Sequence, residues 1–326
     1  MAARLIPSLA ALRGHRNRIP SAVTDRRYRL LVLSILFSFG CSSKPPPPLQ
    51  WNAFDGHKAY EQVEKIVGFG PRPSGSAALA RSAAYIEQQL QSYGLTVEEQ
   101  VFTAPTPYGP KQFRNIVAKT RIQHRGPDRI IIVGSHYDTK LFTNITFVGA
   151  NDGGSSTGAL LEMSRVAAQQ PDLWFVFFDG EEAMVEYSDK DGLWGSRFFV
   201  QELKREHQVG SIKAMVLLDM IGDKNLNVWV TGSLVGPVFD ASRAAGFRDY
   251  FDYRGNSILD DHVPFLQAGI PAVDLIDFEF GSAPGLNDYW HTDKDTLDKI
   301  SPRSLEIIGK TTLRLLSLLQ NQALPH

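Results

Sequence analysis

The stretch LWFVFFDGEEAMVEYSDKDGLWGS, residues 173–196, decides how the rest of the chain is read. Its first six residues are apolar without interruption, the pattern of a strand buried on both faces rather than one. The run stops at Asp179-Gly180 and meets two carboxylates, Glu181 and Glu182. Neighbours in an extended chain point to opposite sides, so two equal carboxylates here need not have equal jobs. A long polar loop, AMVEYSDKDGLW (183–194), separates them from the helical pattern GSRFFVQELKRE (195–206).

Working outward, strand-like runs recur at 95–102, 113–120, 129–139, 212–220, 227–232 and 270–276. Helical spacing appears at 52–68, 78–94, 158–170, 263–269 and 302–322. Apolar strands alternating with helices predict an α/β fold: one domain in three α/β/α layers around a mixed, mostly parallel sheet. Ligands of such sheets sit at the carboxyl ends of the strands. His136, Asp138, the 179–182 stretch and Asp219 all fall at those ends, which makes them candidates for an active site.

A net charge of −1 over 326 residues gives no reason to expect a nucleic-acid partner. The single cysteine, Cys41, excludes an internal disulfide. Before it stand Arg26, Arg27 and Arg29, then the apolar stretch from Leu30 to Phe39 and Gly40. That stretch is short for a membrane span and has the shape of a secretory signal. The succession resembles a bacterial lipoprotein signal, in which the cysteine is lipidated and becomes the mature N-terminus. An ordinary cleaved signal and an uncleaved anchor are the alternatives, and all three export the folded domain. The first 22 residues look foreign to such a signal, and a start near Val23 would suit it better. The expected organisation is an extension and signal over 1–41, a proline-rich extended tether over 42–50, and a catalytic domain over 51–326. The protein is then expected in the cell envelope, lipid-anchored at Cys41, with a monomeric catalytic domain.

Five residues have metal-ligand chemistry: His136 in GSHYDT, Asp152 in GANDGG, Glu182 in DGEEA, Asp219 in LLDMIGD and His291 in YWHTD. Zinc takes imidazole nitrogen and carboxylate oxygen, and a catalytic zinc keeps one position open. Each residue alone also has a structural reading. Asp152 can be a helix N-cap, His291 part of a capping loop, Asp219 a turn carboxylate, and the glutamate pair a solvated loop.

The ordered set GSHYDT, GANDGGSSTGALLE, FFDGEE, LLDMIG, DDHVPFLQAGIP and WHTDKDTLDKI resembles the zinc aminopeptidase and glutaminyl cyclase superfamily over roughly residues 55–322. The resemblance implies one Zn2+ held by Asp152, Glu182 and His291, with Glu181 as general acid/base. His136 and Asp219 are its positions for a second metal or for support of the first. The long 183–194 loop, Asp260 in Asp260-Asp261-His262, and Trp290 beside His291 resemble the glutaminyl cyclases more than the aminopeptidases. Tyr187 stands where animal cyclases have a Trp, Asp274 replaces a pocket His, and Leu259 replaces a polar residue. GANDGG is nearer the aminopeptidase form.

The implied reaction is closure of an N-terminal Gln of a peptide or protein to pyroglutamate with loss of ammonia. In it Glu181, Asp219 and Asp260 are the catalytic residues, while Trp290, Phe280 and Tyr187 shape the pocket. A zinc aminopeptidase, with two metals and Glu181 activating water, is the alternative within the superfamily. An inactive binding ectodomain on the same fold is the alternative from another class.

Overall fold

The computed structural model describes residues 48–124, 126–255 and 258–321. Cys41, the signal-like segment and most of the tether therefore lie outside the described residues. In chain order the elements are α1 (Gly56–Val67), α2 (Ala77–Ser92), β1 (Thr96–Thr106), β2 (Gly109–Lys119), β3 (Ile130–His136), α3 (Ser156–Ala167), β4 (Leu173–Phe178) and α4 (Trp194–Arg205). There follow β5 (Ile212–Asp219), β6 (Val228–Gly232), α5 (Val235–Ala245), β7 (Phe251–Tyr253), α6 (Val263–Gln267), β8 (Ala272–Ile276) and α7 (Pro302–Asn321).

Local chemistry sets the helix starts. The Asp55 carboxylate accepts from the backbone amides of His57 and Lys58, and the Ser76 hydroxyl from that of Leu79, supplying partners that the first turns of α1 and α2 lack.

The strands form one sheet in the order β1-β2-β4-β3-β5-β8-β6-β7. The central strands β4, β3, β5 and β8 are parallel to one another. Antiparallel pairs join β1 to β2, β2 to β4, and β6 to β8. Every residue of β3, β4 and β8 is buried, as the uninterrupted apolar run at 173–178 required. Alternate residues serve opposite layers: Leu173, Phe175 and Phe177 pack with α1, α2, α3 and α7, whereas Trp174, Val176 and Phe178 pack with α4 and α6.

From β3 the chain adds β4 on one side, then returns past β3 to add β5 on the other. This reversal opens a crevice at the carboxyl end of β3, where such sheets bind ligands. His136, the glutamate pair and Asp219 stand there because each ends, or directly follows, one of these three strands.

Two elements were not expected from sequence. Helix α5 begins Val235-Gly236-Pro237, residues that look like a loop, yet proline suits a first helical turn. Strand β7 is only three residues long and gains its identity from pairing with β6. Leu49 also differs from an extended tether, since it is buried in the main core cluster.

Candidate metal centre and active site

Asp152, Glu182 and His291 converge, with ligand-type atoms all within 4.8 Å of one another. The His291 Nε2 lies 3.3 Å from an Asp152 oxygen and 3.2 Å from Glu182. Asp152 reaches the other way too: its second oxygen is 3.2 Å from His136 Nε2, which is 3.1 Å from Asp219. The five candidates read from the sequence thus form two triads sharing Asp152. Glu181 and Asp260 are buried with them.

For Asp152 and His291 the geometry argues against the structural alternatives. Asp152 sits at a kink before α3, with φ −76° and ψ 108°, and its side chain faces two imidazoles instead of a helix amide. Gly153 permits the kink: its φ is +71°, and a Cβ there would come within 2.7 Å of the Asp138 carbonyl oxygen and 2.9 Å of the His136 ring. His291 itself adopts φ +56°, uncommon for a residue with a side chain. That conformation is found here at a residue whose ring nitrogen faces two carboxylates.

The donor set fits zinc. A tetrahedral ion with N and O ligands at about 2.0–2.2 Å separates neighbouring ligand atoms by about 3.3–3.6 Å. The contacts of 3.2 and 3.3 Å around His291 Nε2 are close to that spacing. The buried Asp152 Oδ2 also lacks a hydrogen-bond partner. Electrostatics point the same way. Burial opposes charge on His291, yet Glu182 and Asp152 outweigh it and lift the imidazole to about 9. Burial likewise opposes charge on Asp152, but His136 and His291 hold its carboxyl below the usual carboxylate range. The centre favours positive charge.

Around Glu181 the balance reverses. Burial, helped by Asp260, Glu182 and Asp261, lifts its carboxyl well above the usual range, against the pull of His136. Burial also raises Asp219, and it raises Asp260 and Asp274 strongly. Both oxygens of Asp274 and one of Asp260 are buried without a hydrogen-bond partner. Raised values make such carboxyls easier to protonate, which suits general acid/base chemistry.

Aromatic rings surround the triad. Trp290 stacks on His291 with ring centroids 3.9 Å apart at 21°, and Phe142 and Phe147 meet the same imidazole edge-to-face with centroids 5.9 and 5.8 Å away. Phe280 is fully buried beside Met220 and Ile276, and packs edge-on against Tyr289. Tyr187 directs its phenol to the glutamates, with its oxygen 3.0 Å from an oxygen of each.

Several supporting residues received no specific role from the sequence, although Asp138 stood among the strand-end candidates. The Asp138 carboxylate accepts from the backbone amides of Glu181 and Glu182, and so orients the pair. Asp295 accepts from the amides of Asn151 and Asp152. The fully buried Arg72 donates to the carbonyls of Tyr137, Val148 and Gly149. Asp138 and Asp295 lie inside the motifs GSHYDT and WHTDKDT, which was the available signal; Arg72, remote in FGPRPSGS, offered none.

This fold, with buried His, Asp and Glu at the strand ends, defines a metal-dependent exopeptidase-like protein, and residues 115–316 match the family described as Peptidase family M28. A glutaminyl-peptide cyclotransferase of Boiga irregularis is 30% identical, with 74% of each chain covered. The crystal structure of an Acidobacteriales bacterium glutaminyl cyclase superposes with a TM-score of 0.76 at 34% identity, covering 86% of this chain and 97% of that one. A leucine aminopeptidase precursor from Bacteroides thetaiotaomicron gives 0.70 at 26%, covering 82% and 98%. The chain belongs to family M28, within its glutaminyl cyclase group.

Proposed function

We propose that this protein converts the N-terminal Gln of peptides and proteins to pyroglutamate with release of ammonia. The observation that carries this reading is the likeness of nearly the whole folded domain to glutaminyl cyclases. Asp152, Glu182 and His291 would hold one zinc, and the bound ion supplies Lewis acidity toward the side-chain carboxamide oxygen. The α-amine nitrogen forms a bond to the carboxamide carbon, and the bond from that carbon to the amide nitrogen breaks. Glu181 takes the proton released by the amine and gives it to the departing nitrogen, so ammonia leaves neutral. Asp219 and Asp260 hold the reacting nitrogen. Trp290 and Tyr187 shape the pocket, and the buried Phe280 supports that wall by packing. Because the nucleophile belongs to the substrate, a close-fitting pocket favours ring closure over attack by water.

The test is ammonia release from a Gln-peptide by zinc-loaded protein, with hydrolysis of a Leu-amide alongside. A second reading, a two-metal aminopeptidase, is favoured by Asp152 lying between His136 and His291. Leu-amide hydrolysis with two zincs per chain and no ammonia would establish it.

The same proposal places the protein in the cell envelope through lipid on Cys41, with a monomeric catalytic domain. Among the described residues no helix is long and apolar enough to cross a membrane. Mass spectrometry of the native N-terminus tests the anchor: a chain starting at residue 42 or later, without lipid, overturns it.

A further inference from the structure

The 183–192 segment is more tightly built than its polar sequence suggests. Its ends are tied together, since the amides of Leu193 and Trp194 donate to the carbonyls of Glu181 and Gly180, both at 2.9 Å. The buried Asp191 carboxylate accepts from three successive backbone amides, of Met184 at 2.8 Å, Val185 at 2.8 Å and Glu186 at 3.1 Å. Lys140 donates to the Ala183 carbonyl at 2.7 Å and lies 5.3 Å from the Tyr187 ring centroid. Gly192 closes the loop at φ +85°, and a Cβ there would fall 2.9 Å from the Tyr187 ring and 3.0 Å from the Glu181 carbonyl.

The product of this construction is the Tyr187 phenol, held 3.0 Å from an oxygen of Glu181 and 3.0 Å from one of Glu182. One hydroxyl proton serves one carboxylate at a time, while the hydroxyl oxygen can accept from the other. The phenol is therefore held against both glutamates, donating to one while staying within reach of the other. Without Asp191, three loop amides lose their partner and the loop gains conformations in which the phenol is elsewhere.

We infer that the 183–192 loop is a strap that presses Tyr187 onto the glutamate pair, with Tyr187 and Asp191 acting as positioning residues for proton transfer by Glu181. This rests on the reading of Glu181 as the proton carrier, a role it has in ring closure and in peptide hydrolysis alike. The strap differs from a simple pocket wall, because it acts through a hydroxyl and a buried carboxylate.

A double-mutant cycle on the zinc-loaded protein, with amide hydrogen exchange alongside, tests it. Tyr187→Phe should lower kcat about tenfold, keep KM within about threefold, and leave zinc content unchanged. Asp191→Ala should speed exchange at Met184, Val185 and Glu186 by at least about tenfold and lower kcat by a similar factor. In the Tyr187→Phe background Asp191→Ala should cost little more, because the strap no longer carries a hydroxyl. If Asp191→Ala does not fold, Asp191→Asn and Gly192→Ala serve, the latter displacing Tyr187 directly. Wild-type kcat in Tyr187→Phe, multiplying losses in the double variant, or unchanged exchange on loss of Asp191 would overturn the proposal. Should wild-type protein hydrolyse Leu-amides and leave Gln-peptides untouched, the reaction is misassigned, and the same cycle on Leu-amide still decides the strap. The exchange arm needs no turnover.

Discussion

Two buried clusters in this protein have the same composition and opposite electrostatics. Asp152, Glu182 and His291 form one; Asp260, His262 and Asp274 form the other. Each has two carboxylates and one imidazole. In the first the imidazole is lifted to about 9, in the second it is lowered to about 4. The Asp152 carboxyl is pulled below the ordinary range, while burial pushes Asp260 and Asp274 well above it. Spacing accounts for much of this. His291 Nε2 has carboxylate oxygens at 3.2 and 3.3 Å, whereas His262 Nδ1 has Asp274 at 4.0 Å. The second cluster is also more deeply enclosed: Asp274 is fully buried, while His291 is partly exposed. Composition does not set the charge balance of such a cluster; spacing and burial do.

The strongest way to break this comparison is to remove ligands from each cluster in turn. His291→Ala should lose zinc and turnover, whereas Asp274→Asn should keep one zinc per chain, as measured by metal analysis. Glu181→Gln should keep zinc and lose about 10²–10⁴-fold in kcat, the usual worth of a positioned general acid/base. Equal zinc loss in Glu181→Gln and His291→Ala would mean that the adjacent glutamates are assigned the wrong way round.

Asp261 sharpens the contrast through stability. Burial lifts its carboxyl from 3.8 to about 7. A raised folded-state value means no cost below about pH 4 and a growing cost as pH rises through 7. Asp261→Asn should therefore leave the thermal midpoint unchanged near pH 4 and raise it at pH 8, with a ceiling of about 4 kcal/mol. A gain of equal size at both pH values would show that its charge is not the cause.

Smaller effects are expected at the edges of the two clusters. Asp260→Asn should slow ring closure about tenfold, roughly 1.4 kcal/mol, with zinc content unchanged. Loss of metal in that variant would move Asp260 into the coordination sphere. Trp290→Phe keeps an aromatic ring at the stacking position over His291, and steady-state kinetics should show KM for a Gln-peptide raised only a few-fold, about 1 kcal/mol. A large drop in kcat would instead assign the indole to the reacting groups.

Much of the site was legible because strand ends are legible. A buried apolar run such as 173–178 can hardly be a loop, and the residues that follow such runs must emerge at one edge of the sheet. That reasoning, with the motif resemblance, assembled Asp152, Glu182, His291, His136 and Asp219 before any geometry. Arg72, Phe142 and Phe147 were illegible because nothing local marks them; they reach the site only after distant segments pack. The 183–192 loop was read by its length and its tyrosine, while nothing local in the sequence marked Asp191.

By itself, then, the sequence determined the layering, the parallel core and the five candidate metal-ligating residues, since apolar periodicity and ligand chemistry are properties of short segments. Only the tertiary structure decided which carboxyls are pushed toward ionisation and which toward protonation. It also decided that Asp152 faces two imidazoles and that Tyr187 returns to the glutamates. Those outcomes depend on burial and on separations of a few ångströms between residues far apart in the chain, and charge energies change steeply over such distances in a weakly screened interior.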